Sequence, residues 1–270
     1  MNPFTNKFKA FLLFPHESKD RTKDLETHSI SSLKLAKTSL KDLTISIIIP
    51  TLNEAENLAQ TLKTVQDNNS MEVIVVDGGS WDDTVRLAKS LNVRVISSTA
   101  RRSDQMNLGA ALAKGDILLF LHADTHLPSR FEHWILQTLA KPNIIAGAFE
   151  LKINSTVPAL RWVEWGVKLR SHLLQMPYGD QAIFLRASIF QELGGFPDLP
   201  IMEDFELMRR LKQRGRIKIA PAAVITSNRR WKKLGVCRTT LINQLIIVGY
   251  LLGISPERLL KWYRNLGKQR

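Results

Sequence analysis

Between Ile45 and Ile225 the apolar positions switch between two periods. Continuous runs at Ile45-Ser-Ile-Ile-Ile49, Glu72-Val-Ile-Val-Val76, Val93 to Ser97 and Ile117-Leu-Leu-Phe-Leu121 have the length and β-branched content of buried strands. Pro50 predicts the end of the first. The stretches between them carry helix signals. Asn53 with Glu56 is a capping-box spacing for a helix to about Gln66, and Ser129 with Glu132 is another for a helix ending near Ala140. Ser80 with Asp83, an Asp in place of the usual Glu, opens a helix through Lys89. Ser103 caps a helix from Asp104 to Lys114, which Gly115 closes. A short strand from Ala182 to Arg186 and a helix opened by Glu203-Asp204, with Leu207, Met208 and Leu211 on its apolar face, follow. This alternation predicts an α/β fold, a mainly parallel sheet flanked by helices. In such sheets ligands bind at the carboxyl ends of the strands.

The two ends of the chain read differently. Phe4 to Phe14 form a short apolar cluster broken by Pro15, and Glu17 to Lys41 mix charges with Ser, Thr and scattered leucines. A secretory signal needs a longer apolar stretch and a small-residue cleavage site. Residues 1–43 are therefore expected to be a poorly ordered or interfacial extension, residues 44–231 the main domain, and the location cytoplasmic. Leu241 to Ile254 is strongly apolar, but too short and too interrupted by Asn243, Gln244 and two glycines to span a bilayer. Basic residues border it on both sides, together with Trp231, Trp262 and Tyr263. Residues 232–270 thus read as apolar and basic helices lying on a membrane surface, at the inner face of the cell membrane. A helix packed on the domain's own core is the plainer alternative.

Composition narrows the chemistry. At 270 residues, 44% hydrophobic and 23% charged, the chain is ordinary globular material. Its single cysteine, Cys237, excludes an internal disulfide and a cysteine-based zinc site. The net charge of +13 predicts attraction to polyanions, which include nucleic acid, anionic lipid and phosphorylated small molecules. No aromatic-basic module or zinc spacing supports a nucleic-acid partner. No Gly-x-Gly-x-x-Gly follows a strand and no Gly-Lys-Ser/Thr loop exists, so dinucleotide and P-loop readings lose their support. Carboxylates gather at the strand ends instead, and buried carboxylates are costly unless paired or bound to a cation.

Asp124, just past a hydrophobic strand, suits a hard cation such as Mg²⁺ or Mn²⁺ with diphosphate oxygens completing the shell; a turn-capping aspartate is the alternative. His122 reads as a weaker ligand or as a partner of the neighbouring loop. Asp77 precedes Gly78-Gly79, whose amides are open to a nucleobase or ribose, although Asp-Gly is also common turn chemistry. Asn53 and Glu54 read as a helix start. Arg101 and Arg102 follow the third strand and offer a grip on phosphate, with a simply solvated pair as the alternative. Glu203 and Asp204 either complement a helix N-terminus or supply a carboxylate that takes a proton from an incoming hydroxyl. Gly179-Asp180-Gln181 offers polar groups to an acceptor, and Arg229-Arg230-Trp231 offers cations and an aromatic plate.

In their order, strand-Pro50-Thr-Leu-Asn-Glu54, Val-Ile-Val-Val-Asp77-Gly-Gly-Ser80-x-Asp82-x-Thr84, Asn107-x-Gly109-Ala110, His122-Ala-Asp124 and Glu203-Asp204, these motifs resemble the family 2 glycosyltransferases from about Ile45 to Trp231. The resemblance implies a GT-A fold, a nucleotide-binding half followed by an acceptor-binding half. It implies that Thr51, Asn53, Glu54, Asp77, Gly79, Arg101 and Asn107 surround a nucleotide sugar. Asp124 matches the last acid of the Asp-x-Asp metal motif, with His122 in place of the first. Asp204 matches the catalytic base, with Glu203 beside it, and Asp180, Gln181, Arg230 and Trp231 fall to the acceptor. Arg230-Trp231 resembles the end of the Gln-x-x-Arg-Trp motif of processive members, but Ser227 stands where the Gln would be, so a non-processive enzyme is expected. His-Ala-Asp, Gly-Asp-Gln and Glu-Asp-Phe-Glu are similar to a bacterial subgroup labelled arsenosugar-biosynthesis, selenodomain-associated or carotenoid (diaponeurosporenoate-type) glycosyltransferase. The implied reaction is an inverting, Mg²⁺- or Mn²⁺-assisted transfer from a nucleotide diphosphate sugar, a UDP-sugar first, to an acceptor hydroxyl on a lipid, carotenoid-like or small molecule. One rival, a sugar-phosphate nucleotidyltransferase, needs a Gly-rich, Arg-containing loop after the first strand, which Thr51-Leu52-Asn53-Glu54 is not. The other is a non-catalytic membrane-surface scaffold with a degenerate core, a reading sustained by His122.

Overall fold

β1 (Ile45–Thr51) shows how the period-two pattern builds the molecule. Ile45, Ile47 and Ile49 point to one face of the sheet and Ile48 to the other, and all are buried. The computed structural model describes residues 43–65 and 71–267; the extension expected over 1–43 lies outside them, Leu43 excepted.

From β1 the chain alternates through α1 (Ala55–Lys63), β2 (Glu72–Asp77), α2 (Thr84–Ser90), β3 (Arg94–Ser97), α3 (Arg102–Leu112) and β4 (Ile117–Phe120). It continues through β5 (Thr125–His126), α4 (Phe131–Leu139), β6 (Ile144–Ile153), α5 (Ala159–Leu173), β7 (Ile183–Arg186), α6 (Ala187–Glu192) and α7 (Glu203–Lys212). β8 (Arg216–Thr226), α8 (Arg229–Leu234), α9 (Val236–Leu251) and α10 (Pro256–Leu266) complete it. The sheet order is β3-β2-β1-β4-β7-β6-β8-β5. Pairings from β3 to β4 are parallel, as is β6 with β8, whereas β7 runs against both β4 and β6 and β5 against β8.

Helices cover both faces. The Ile47 face packs against Leu58 and Leu62 of α1 and Phe131, Ile135 and Leu139 of α4. The Ile48 face packs against Met106 of α3, Leu207, Met208 and Leu211 of α7, and Ile242 and Ile246 of α9. Each such buried side chain is worth about 1.5–3 kcal/mol. Gly109 lets α3 lie directly on the sheet, because a Cβ there would stand 2.5 Å from Cγ2 of Ile48.

Several local expectations are corrected. Pro50 lies inside β1 and does not end it. Ile48 accepts the last β4 bond, from the Leu121 amide, so on that side of β1 nothing remains for the N–H that proline lacks. None of the four expected N-cap side chains makes its cap. The N-cap positions of α1, α2, α3 and α4 are Glu54, Asp83, Arg101 and Arg130, and none makes a side-chain cap bond. Gly115 lies beyond the end of α3, against Ser46. β6 and β8, which no simple alternation announced, are the longest strands described. β8 tolerates Pro221 because the register with β6 slips between Ala220 and Ala223, a bulge that leaves the proline outside the ladder. The apolar C-terminal segment is α9. It buries Thr239, Ile242, Ile246 and Gly249 but leaves other apolar residues in solvent. No described helix is long and apolar enough to cross a membrane.

Candidate functional site

The ends of β1 and β2 form one side of the site. Asp77 is buried, and its Oδ2 accepts the Gly79 and Ser80 amides at 2.9 and 2.8 Å. Its Oδ1 accepts the hydroxyls of Ser80 and of Thr51, the latter at 3.3 Å. This folds Gly78-Gly79-Ser80 into a tight turn, and Gly79, at φ +92°, takes a conformation that favours glycine. The turn then caps the helix next door. Ser80, Thr84 and Asp82 accept the amides of Asn53, Glu54 and Ala55 at 2.8, 2.8 and 3.2 Å. Asn53 sits at φ +55° and returns the contact by accepting the Trp81 amide. Thr51, Asn53, Glu54, Asp77 and Gly79 therefore form one cross-braced loop pair at the carboxyl end of the sheet.

The opposite side begins where β4 ends. The β5–β8 pairing, Thr125 with Thr226, delivers the residues after β8 to Asp124, whose carbonyl accepts the Ser227 amide. Arg229 is thereby placed between two carboxylates, 2.7 Å from Glu54 and 3.5 Å from Asp124. Burial and the Glu54 charge push the Asp124 carboxyl upward, and Arg229 and Arg102 pull it back.

Acids converge around Gly179. Its amide donates to Oδ2 of Asp204 at 2.8 Å, while Oδ1 of Asp204 accepts the Phe205 amide at 2.7 Å. A Cβ at Gly179 would stand 2.8 Å from Nε2 of His122, so this glycine is the close contact between the β4 and α7 sides of the cleft. The cleft is lined by Pro50, Arg102, His122, Gly179, Glu203 and Asp204, among others. Burial, and then Asp204, pushes Glu203 up to about 7. Burial likewise raises Asp180 to about 6, and its Oδ1 has no hydrogen-bond partner. His122 is held well below its usual range by burial and by Arg102, which leaves a neutral imidazole.

Other expected residues face elsewhere. Gln181 is buried, with its Oε1 accepting from Arg170 and Ser171 and its Nε2 donating to the Phe149 carbonyl, so it fixes the 178–181 turn and presents nothing to an acceptor. Asn107 makes two bonds of 2.9 Å to the backbone of Phe196, tying α3 to the loop before α7. Arg101 is partly exposed and pairs with Asp104 and Asp198. Arg230 stacks on Tyr263, 3.9 Å from the ring centre, and Trp231 packs against the core. The cations that do enter the site are Arg102, expected together with Arg101 to grip phosphate, and Arg229, the first cation of Arg229-Arg230-Trp231.

Among the described residues no three His, Cys, Asp or Glu side chains form a metal cage. The oxygen donors present still fit a hard cation, since Mg²⁺ is commonly held by one or two carboxylates and the ligand's phosphates. Asp124 is the oxygen donor, with Glu54 across the guanidinium. The Nε2 of His122 lies against Gly179.

Comparison with known proteins bears on the family and the fold. Residues 46–186 match the profile of Glycosyl transferase family 2. A PGL/p-HBAD biosynthesis glycosyltransferase of Mycobacterium bovis is 34% identical over 167 residues, which are 56% of this chain and 62% of that protein. The chain thus spans less than two thirds of that relative's length. A 4,4'-diaponeurosporenoate glycosyltransferase of Staphylococcus haemolyticus is 35% identical over 92 residues, 31% of this chain and 24% of that one. Among solved structures, glucosyl-3-phosphoglycerate synthase from Mycobacterium tuberculosis, in complex with Mn²⁺, UDP and glucosyl-3-phosphoglycerate, superposes with a TM-score of 0.56 at 20% identity. The overlap covers 89% of this chain and 87% of that one, and the shared fold is GT-A.

Proposed function

The chain belongs to glycosyl transferase family 2, and from that premise we propose that it moves a sugar from a nucleoside diphosphate sugar, a UDP-sugar first, to an acceptor hydroxyl with inversion. The observation that carries this reading is the meeting at Gly179 of Asp204 and His122, which brings an acid of the second half of the domain against a residue just past β4.

The loop pair at β1 and β2 takes the nucleoside, with Thr51, Asn53 and Asp77 as its polar wall. Arg102 faces the cleft and offers charge-assisted bonds to phosphate. A divalent Mg²⁺ or Mn²⁺ held by Asp124 would neutralise charge growing on the diphosphate, an effect worth several kcal/mol. Asp204 takes the acceptor proton. Its two backbone bonds fix the carboxylate's direction, and each oxygen keeps a second lone pair for the incoming hydroxyl. Attack then comes from the face opposite the leaving group, with no covalent sugar-enzyme intermediate. Glu203, raised to about 7, keeps its proton on the acid side of neutrality and there spares Asp204 a second negative neighbour. Asp180 borders the acceptor end.

A thermal-shift screen of nucleotide sugars with and without Mn²⁺ or Mg²⁺ tests the donor, because a ligand of the folded state raises its melting temperature. Selective stabilisation by a UDP-sugar is expected. A flat screen combined with no sugar transfer by the purified protein would return the chain to the scaffold reading.

A further inference from the structure

α5 carries an apolar stripe that the core does not use. Trp162, Trp165, Leu169 and Leu173 recur at three- and four-residue steps and so line one side of the helix. All four are exposed, Trp162 by 74% and Leu173 by 70%, and the two indoles contact each other edge to face. α9, which touches α5, has a second stripe, Leu241, Leu245 and Val248 with Leu252 just past its end, beside its buried Thr239, Ile242, Ile246 and Gly249. Single exposed apolar residues are ordinary. Two such stripes on neighbouring helices mark an interaction face.

We propose that this face docks on an anionic lipid bilayer, with α5 and α9 lying in the headgroup boundary. Tryptophan favours that boundary, where its ring meets both apolar and wet surroundings. The charge is complementary: from Lys232 to Gly267 the chain has six Lys and Arg against one acid, Glu257. A second copy seated on the same face would bring two of these basic segments together in a chain that already carries +13, which disfavours a dimer. Surface docking needs only an apolar stripe, not a spanning helix. The α5 stripe ends at Leu173 and Leu174, four residues before Tyr178, so docking here holds the 178–180 turn of the cleft near the lipid. The docking does not depend on the transfer chemistry proposed above.

Co-sedimentation of the full chain with vesicles of phosphatidylcholine, with and without phosphatidylglycerol, tests this. The protein should pellet with the anionic vesicles, release as salt is raised, and bind the neutral ones far less. The double variant Trp162→Ser, Trp165→Ser should bind about tenfold more weakly while melting at the wild-type temperature, since both side chains are exposed. Wild-type protein left in the supernatant, equal binding to both vesicle types, or equal binding by the variant overturns the proposal. So does light scattering that shows a wild-type dimer which the double variant converts to monomer, because the face would then belong to a second copy.

Discussion

The guanidinium of Arg229 stands 2.7 Å from the carboxylate of Glu54, across 175 residues of sequence. It also lies 3.5 Å from Asp124, so one organic cation serves two carboxylates at the place where a divalent ion would compete for them.

Removing that cation should leave a stronger metal site. For Arg229→Gln we expect Mn²⁺ affinity without nucleotide to rise, because Glu54 and Asp124 then face each other uncompensated. The loss of stability should stay within about 1 kcal/mol, since the guanidinium is half exposed and such pairs are worth little. Titration calorimetry with Mn²⁺ alone reads the first effect, and identical affinities in the two proteins would contradict it.

Asp204→Asn should fold, because its amide oxygen can still accept one of the two backbone bonds that hold the carboxylate. Transfer should fall by about 10² to 10⁴, the usual contribution of a positioned base, with nucleotide binding retained. Turnover at the wild-type rate would remove Asp204 from that role.

Gly179→Ala tests the junction between His122 and Asp204. The new methyl would stand 2.8 Å from the imidazole Nε2 and 3.4 Å from Asp204, in a cleft with no slack on the His122 side. We expect a loss of about 1–3 kcal/mol in stability, typical of overpacking. Transfer should fall more than nucleotide binding does. A variant with the wild-type melting temperature and rate would mean that His122 moves aside freely.

The alternation of strand and helix was legible because β1, β2 and β4 are buried on both faces and read as continuous apolar runs. The carboxyl-end rule then picked out Asp77 and Asp124. The start of α7 at Glu203 was legible, but the side chains that cap helices were not. Asn53 looks like a cap for its own helix, but its amide and those of its neighbours are satisfied from Ser80, Asp82 and Thr84, some thirty residues away. Local spacing cannot show a cap supplied across strands. The same limit separates Arg229 from Arg230. The motif pointed to Arg230 beside Trp231, whereas the short β5–β8 pairing decides which arginine meets Asp124. Gln181 looked available to a ligand because nothing in the sequence announces Arg170, Ser171 and the Phe149 carbonyl as its partners.

Glu203 supplies a prediction in pH. Its carboxyl lies at about 7 in the folded protein against an ordinary 4.5, because it is buried beside Asp204. As pH rises from about 4.5 to about 7, the unfolded chain releases this proton first, so the group's contribution opposes folding progressively and is constant above that range. The gap corresponds to at most about 3 kcal/mol. Glu203→Gln removes the ionisation but keeps the shape. Below pH 4.5 the variant and the wild type should melt together, and the variant should gain steadily up to pH 7.5. Melting curves that run parallel across this range would mean that Glu203 is already ionised in the folded cleft.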